Sequence, residues 1–155
     1  MQHQRLLELG QEAGKPIVLK GFRAPFYAYD EGIFDILRSL GYAWDSSALY
    51  SPLLGIPFAP FTRHGLVEIP VLFPDDMTIL DRMLQPAETI FKIWWRSYEQ
   101  SGRYFVFTIH PYGSAQSEAT LSAFEAFLVR LAESGGKFLT LSEIAEEIAK
   151  STAEG

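Results

Sequence analysis

The chain has 155 residues, 48% hydrophobic and 21% charged, enough for one domain with a real core. Its net charge of −6, with no Lys/Arg cluster, argues against nucleic acid or an anionic membrane as partner. The absence of cysteine excludes disulfides, thiolate metal sites and a Cys nucleophile. Met1-Gln2-His3-Gln4-Arg5 has no leader-like pattern, and no apolar run approaches the ~18 residues of a membrane span, so a cytoplasmic chain is expected.

In chain order, residues 3–13 read as a short helix with Leu6, Leu7 and Ala13 inward and Gly14 as its stop. The apolar run Pro16-Ile17-Val18-Leu19-Lys20 then reads as a strand leading to Gly21-Phe22-Arg23-Ala24-Pro25-Phe26. Pro25 fixes its own φ and drives Ala24 into an extended conformation, so Arg23 projects from a stiff strand end. After an aromatic loop, Phe26 to Tyr29, Asp30 is suited to cap a helix with the stripe Ile33, Phe34, Ile36, Leu37 and Leu40. Tyr42-Ala43-Trp44 reads as a second buried strand, running into Asp45-Ser46-Ser47. Residues 48–66, with three prolines, two glycines and the exposed-looking Tyr50, Phe58 and Phe61, read as a long ordered loop.

Residues 67–73 form the next expected strand, confined by Pro70 to an edge or a bulge. Asp75 or Asp76 is placed to cap a helix to about Leu84, and Pro86 opens another to Gln100. Residues 103–109 have the strongest strand pattern in the chain and end at His110-Pro111. Ser117 then caps a helix with Leu121, Phe124, Phe127, Leu128 and Leu131 inward. A short strand is expected over 137–140, Thr140 to Glu143 has capping-box spacing for a last helix, and residues 151–155 should fray as a disordered tail. Strands alternating with helices predict an α/β fold with a parallel sheet or barrel.

Three expected strands thus finish in Arg23, Asp45 and His110, and parallel strands bring such ends to one face. Arg23 beside Asp45 would make a charge-assisted fork, and an imidazole suits proton transfer near neutrality. A structural ion pair at Arg23 and a structural histidine at 110 are the plainer alternatives. His3 and His64 are weaker candidates. Helix capping and a solvated face account for Asp75, Asp76 and Asp81 better than a metal does, and core packing accounts for Trp94 and Trp95 better than a sugar-stacking platform.

Gly21-Phe22-Arg23-Ala24-Pro25-Phe26, Trp44-Asp45-Ser46-Ser47, Val67-Glu68-Ile69-Pro70-Val71 and Thr108-Ile109-His110-Pro111 occur in the order seen in polysaccharide deacetylases. The chain resembles the C-terminal part of these NodB-like carbohydrate esterases, and Phe138 to Ala145 looks like the family's last strand and helix. The resemblance implies one domain over 1–150, part of an incomplete (β/α) barrel with about four to five mostly parallel strands and flanking helices. It implies hydrolysis of a C–N bond in a small carbohydrate or amide substrate, such as the N-acetyl group of a sugar. By the same resemblance, Arg23 orients the catalytic base, Asp45 holds Arg23, and His110 protonates the departing amine. Pro25, Phe26 and Tyr27 would border the substrate, the Phe26 N–H would serve as an oxyanion donor, and Thr108 replaces a leucine that meets the acetyl methyl. The family's Asp-Asp and His-Ser/Thr-x-x-His metal motifs have no match here: residues 1–20 hold one histidine and no aspartate. The expectation is therefore that this chain alone binds no metal, that the complete family site holds a divalent metal such as zinc, and that the chain self-associates or docks on a complementing chain. A non-catalytic carbohydrate-binding or assembly subunit is the alternative.

Overall fold

The computed structural model describes residues 2–114 and 117–153. It is a mixed α/β fold in which short strands supply the frame and helices most of the mass. Helix α1 (Gln2–Glu12) precedes β1 (Gly21–Phe22), α2 (Gly32–Ser39), β2 (Trp44–Asp45) and β3 (Leu49–Tyr50). β4 (Phe61–Arg63), β5 (Leu66–Glu68) and β6 (Val71–Leu72) follow, then α3 (Ala87–Gln100), the one-turn α4 (Pro111–Ser114), α5 (Glu118–Glu133) and α6 (Leu141–Ala153). Helix α6 thus includes residues 151–153 of the expected tail, and 154–155 lie outside the described residues.

Among the described residues the strands form two small sheets and no closed barrel. One has the order β1-β2-β5-β4, parallel except for the antiparallel β4–β5 pair; the other is the parallel pair β3–β6. The expected strand over 67–73 is therefore two strands in two sheets. Pro70 lacks the N–H that a continuous ladder needs, and the break at Ile69-Pro70 moves the chain from one sheet to the other. The stretch read as loop over 48–66 contains β3 and the hairpin strand β4. His64 and Gly65 are its two-residue turn, both with positive φ (50° and 81°), the backbone that a hairpin twist favours.

Residues 103–109 are not a ladder strand. They run past β6 with one backbone bond, from Leu72 N–H to the Val106 carbonyl, and the Val106 N–H donates instead to the buried Tyr50 hydroxyl. Residues 137–140 likewise form no ladder, but Thr140 and Glu143 make the expected reciprocal capping box on α6.

The larger core is aromatic. Trp94, Tyr50, Phe91 and Phe127 pack with Leu72, Ile79, Ile90 and Leu131, joining α3 to α5 beneath residues 105–107. Trp94 is fully buried there, which is the packing role expected of it; Trp95 lies at the margin under the Arg130 guanidinium, 3.5 Å from the ring centre. A second cluster seats Ile144, Ala145 and Ile148 of α6 on Val67, Ile69 and Val71.

Several stripes are shallower than their periodicity predicts: Leu6, Ile36, Leu40 and Leu121 are exposed, and only Phe34 and Leu37 of α2 are buried. Tyr50, read as an exposed loop residue, is wholly buried. Among the described residues no helix is long and apolar enough to cross a membrane.

Candidate functional site

β1, β2 and β5 lie in register, with Phe22 beside Asp45 and Asp45 beside Glu68. The residues that follow each strand therefore meet: Arg23, Ser46 and Ile69. Arg23 Nε donates to the Ser46 carbonyl (2.9 Å), Nη2 to Ser46 Oγ (2.8 Å) and Nη1 to Thr108 Oγ1 (2.7 Å). The Ser46 hydroxyl donates in turn to the Ile69 carbonyl at 2.7 Å, which closes the cradle. Burial lowers the pKa of Arg23, partly offset by the negative charge of its neighbours, yet a guanidinium stays charged at any ordinary pH.

The fork expected between Arg23 and Asp45 is not formed. Successive strand residues point to opposite faces, so Asp45, one residue before Ser46, turns away from the guanidinium. Asp45 instead accepts from the Ser47 hydroxyl (3.0 Å) and the Ser47 N–H (2.9 Å), and Ser47 Oγ accepts the Ala24 N–H at 2.9 Å. The carboxylate thus steers the backbone just after Arg23 through Ser47.

Glu68, absent from the expected site, completes this turn. Its Oε1 accepts the N–H groups of Ser47 (3.1 Å) and Ala48 (3.0 Å). Burial, with the adjacent Asp45 adding to it and the two amides opposing, pushes its carboxyl up to about 7. A lone acid inside the apolar stretch Leu66 to Ile69 was the available signal in the sequence.

His110 is held from two sides by one carboxylate. Asp76 Oδ2 accepts its main-chain N–H and Asp76 Oδ1 meets its Nδ1, both at 2.7 Å. Asp76 is fully buried, while the imidazole is about one-third exposed. A carboxylate can only accept here, so Nδ1 carries the proton it shares with Asp76. Of the adjacent acids, Asp75 is the one that caps the following helical turn, through Oδ1 to the Thr78 N–H at 2.8 Å. Asp76 was read as a cap because the sequence does not reveal that residue 110 returns to it.

Six of the seven expected site residues, Arg23, Pro25, Phe26, Tyr27, Thr108 and His110, line a single cleft of about 490 Å³; Asp45 lies behind it. Asp75, Asp81 and Arg82 add charge to the same cleft. Phe26 and Tyr27 both have left-handed backbones (φ 57° and 58°), an arrangement costing on the order of 1 kcal/mol or more per residue. Phe26 is left 93% exposed on the rim. Tyr27 reaches Asp75 at 3.5 Å, and burial raises its pKa.

A shallower depression of about 570 Å³ is lined by α5 alone and brings no convergent groups together. His64 stacks on Phe34 and bonds Asp35 at 3.1 Å, and His3 bonds the Tyr42 hydroxyl at 3.1 Å; both tie surface elements together outside the cleft.

No family model matches this sequence, and no curated protein matches it.

Proposed function

We propose that the cleft is the acid-bearing part of a site that hydrolyses C–N amide bonds of the N-acetyl sugar type, as the resemblance to polysaccharide deacetylases implies. The observation that carries this reading is the Asp76–His110 pair opening on the same cleft as Arg23 and the strained Phe26-Tyr27 turn. In such a hydrolysis, water adds to the acyl carbon, the C–N bond breaks, and the amine leaves with a proton. An imidazole backed by a buried carboxylate is suited to deliver that proton from Nε2.

The residues present do not fit the divalent metal of the complete family site. Among the described residues no three His, Asp or Glu side chains are grouped to hold one. No water-activating step is therefore drawn through this chain; in this reading the metal and base come from a second copy or a complementing chain.

A second reading, a saccharide-binding subunit without turnover, is favoured by one observation. Phe26 and Tyr112, 93% and 67% exposed, present aromatic faces beside the cleft, and sugars stack on such faces.

Titration calorimetry with N-acetylglucosamine oligomers, followed by an acetate-release assay with added zinc, separates the outcomes. Binding weakened about tenfold or more (~1.4 kcal/mol) by His110→Ala, in a variant that keeps its fold, supports the cleft as the site. Acetate release by the chain with a complementing partner selects hydrolysis; binding without release in every combination selects the second reading. Absence of any binding overturns both.

A further inference from the structure

Asp45 and Glu68 are cross-strand neighbours in a parallel ladder, each only 1% exposed. Both accept from the same Ser47 N–H, and Glu68 Oε2 has no donor facing it among the described residues. Two buried carboxylates this close repel strongly, and a buried acceptor without a donor costs about 1–3 kcal/mol. One proton resolves both problems. Carried on Glu68 Oε2 and donated to Asp45, it turns the orphan acceptor into a donor and the repulsion into a hydrogen bond.

We propose that Glu68 is a positioning residue whose shared proton with Asp45 sets how firmly the Ser46-Ser47 turn grips Arg23. The route is short: Glu68 holds the Ser47 and Ala48 amides, Asp45 holds Ser47, Ser47 Oγ holds the Ala24 N–H, and Ser46 holds the guanidinium twice. With the proton in place the pair carries one negative charge and Arg23 reaches outward to Thr108. Without it the pair carries two, and Arg23 is the cation that feels both. The grip on Thr108, at the cleft wall, then weakens as the guanidinium is drawn back.

Glu68 shares its face of β5 with Leu66, against which α2 packs Phe34 and Leu37. The charged groups nearest on these elements are Arg63, over the Phe34 and Phe61 rings, and the His64–Asp35 pair. β4 places Phe61 opposite Glu68, while Ile144, Ala145 and Ile148 of α6 cover the other face, at Val67 and Ile69. His110 lines the same cleft as Arg23 and Thr108 and can also change its protonation, so the test must separate it. The device concerns Arg23 alone and stands whatever ligand the cleft takes.

NMR on the full chain tests it, with the Glu68 side-chain carboxyl carbon and the Arg23 Nε–H followed from pH 4 to 9. The expected result is a Glu68 midpoint well above the ordinary carboxylate range, with the Arg23 signal moving at the same midpoint. In Glu68→Gln, which keeps the acceptor for Ser47 and Ala48, Arg23 stays at its low-pH position throughout. In His110→Gln the Arg23 transition persists. A Glu68 midpoint near the ordinary 4.5 overturns the proposal. So does an Arg23 signal that stays still while Glu68 titrates, or one whose movement vanishes with His110. If either variant fails to fold, the His110 ring carbons followed in the same wild-type titration decide: an Arg23 midpoint that matches Glu68 and not the ring supports the proposal, and one that matches the ring overturns it.

Discussion

Asp76 holds His110 at both its backbone and its ring, with two 2.7 Å contacts from one fully buried carboxylate. The pairing fixes where residues 103–110 end and holds the imidazole by Nδ1. Asp76→Asn leaves one acceptor for two donors and turns an amide N–H₂ toward the other. The expected loss is about 1–3 kcal/mol in urea unfolding, with the Nδ1 proton signal weakened or gone in nitrogen-detected NMR. Unchanged stability together with an unchanged ring signal would show that the pair has no such role.

Arg23→Lys tests the cradle. An ammonium is a point donor on a flexible stem and cannot reach the Ser46 carbonyl, Ser46 Oγ and Thr108 Oγ1 in the guanidinium's fixed fork. Destabilisation of roughly 1–3 kcal/mol is expected although the charge is kept. Stability within about 0.5 kcal/mol of wild type would mean that charge alone, not the fork, is what the site uses.

Glu68 makes stability fall with rising pH. An unfolded glutamate loses its proton near the ordinary 4.5, whereas the native one, raised mainly by burial, keeps it to about 7. Between those values the native state binds more protons than the unfolded state, so unfolding becomes easier by up to about 1.4 kcal/mol per pH unit. Below 4.5 the contribution is complete, and above about 7 it is gone. Denaturant midpoints from pH 4 to 8 should show this slope in wild type and a flatter profile in Glu68→Gln.

Gly21 faces Trp44 across the β1–β2 ladder, and a Cβ built on it would overlap the indole. Trp44 has little room to yield, since its Nε1–H is tied to Ser142 Oγ of α6 at 3.1 Å. Gly21→Ala is expected to cost about 1–3 kcal/mol by overpacking, and the loss should shrink when Trp44→Leu is added. Strictly additive effects in that double-mutant cycle would contradict the contact.

Tyr50→Phe removes the acceptor for the Val106 N–H and keeps the ring. Because the site is fully buried, the stranded N–H is expected to cost about 1–3 kcal/mol, with faster amide exchange at Val106 as the local signature. An unaltered exchange rate at Val106 would show that another group satisfies it.

The sequence by itself determined the local elements whose causes are local. Ser117 caps α5 and Thr140 with Glu143 caps α6, because such caps reach only two or three residues along the chain. Asp30 bonds the Gly32 N–H, but the N-cap of α2 is Glu31, one residue later than expected. The sequence also marked Arg23 and His110, which do share a cleft, since the Pro25 and Pro111 punctuation identifies where extended segments stop; Thr108, in the same cleft, was marked only by the resemblance. The tertiary structure decided the partners. Whether Arg23 meets Asp45 or Ser46 turns on a one-residue change of face at a strand end, and periodicity cannot resolve that until the register is known. Asp76 is 34 residues from His110 and Glu68 is 23 from Asp45. Nothing local distinguishes those acids from caps and surface charges; only the packing that removes water from them gives them a role.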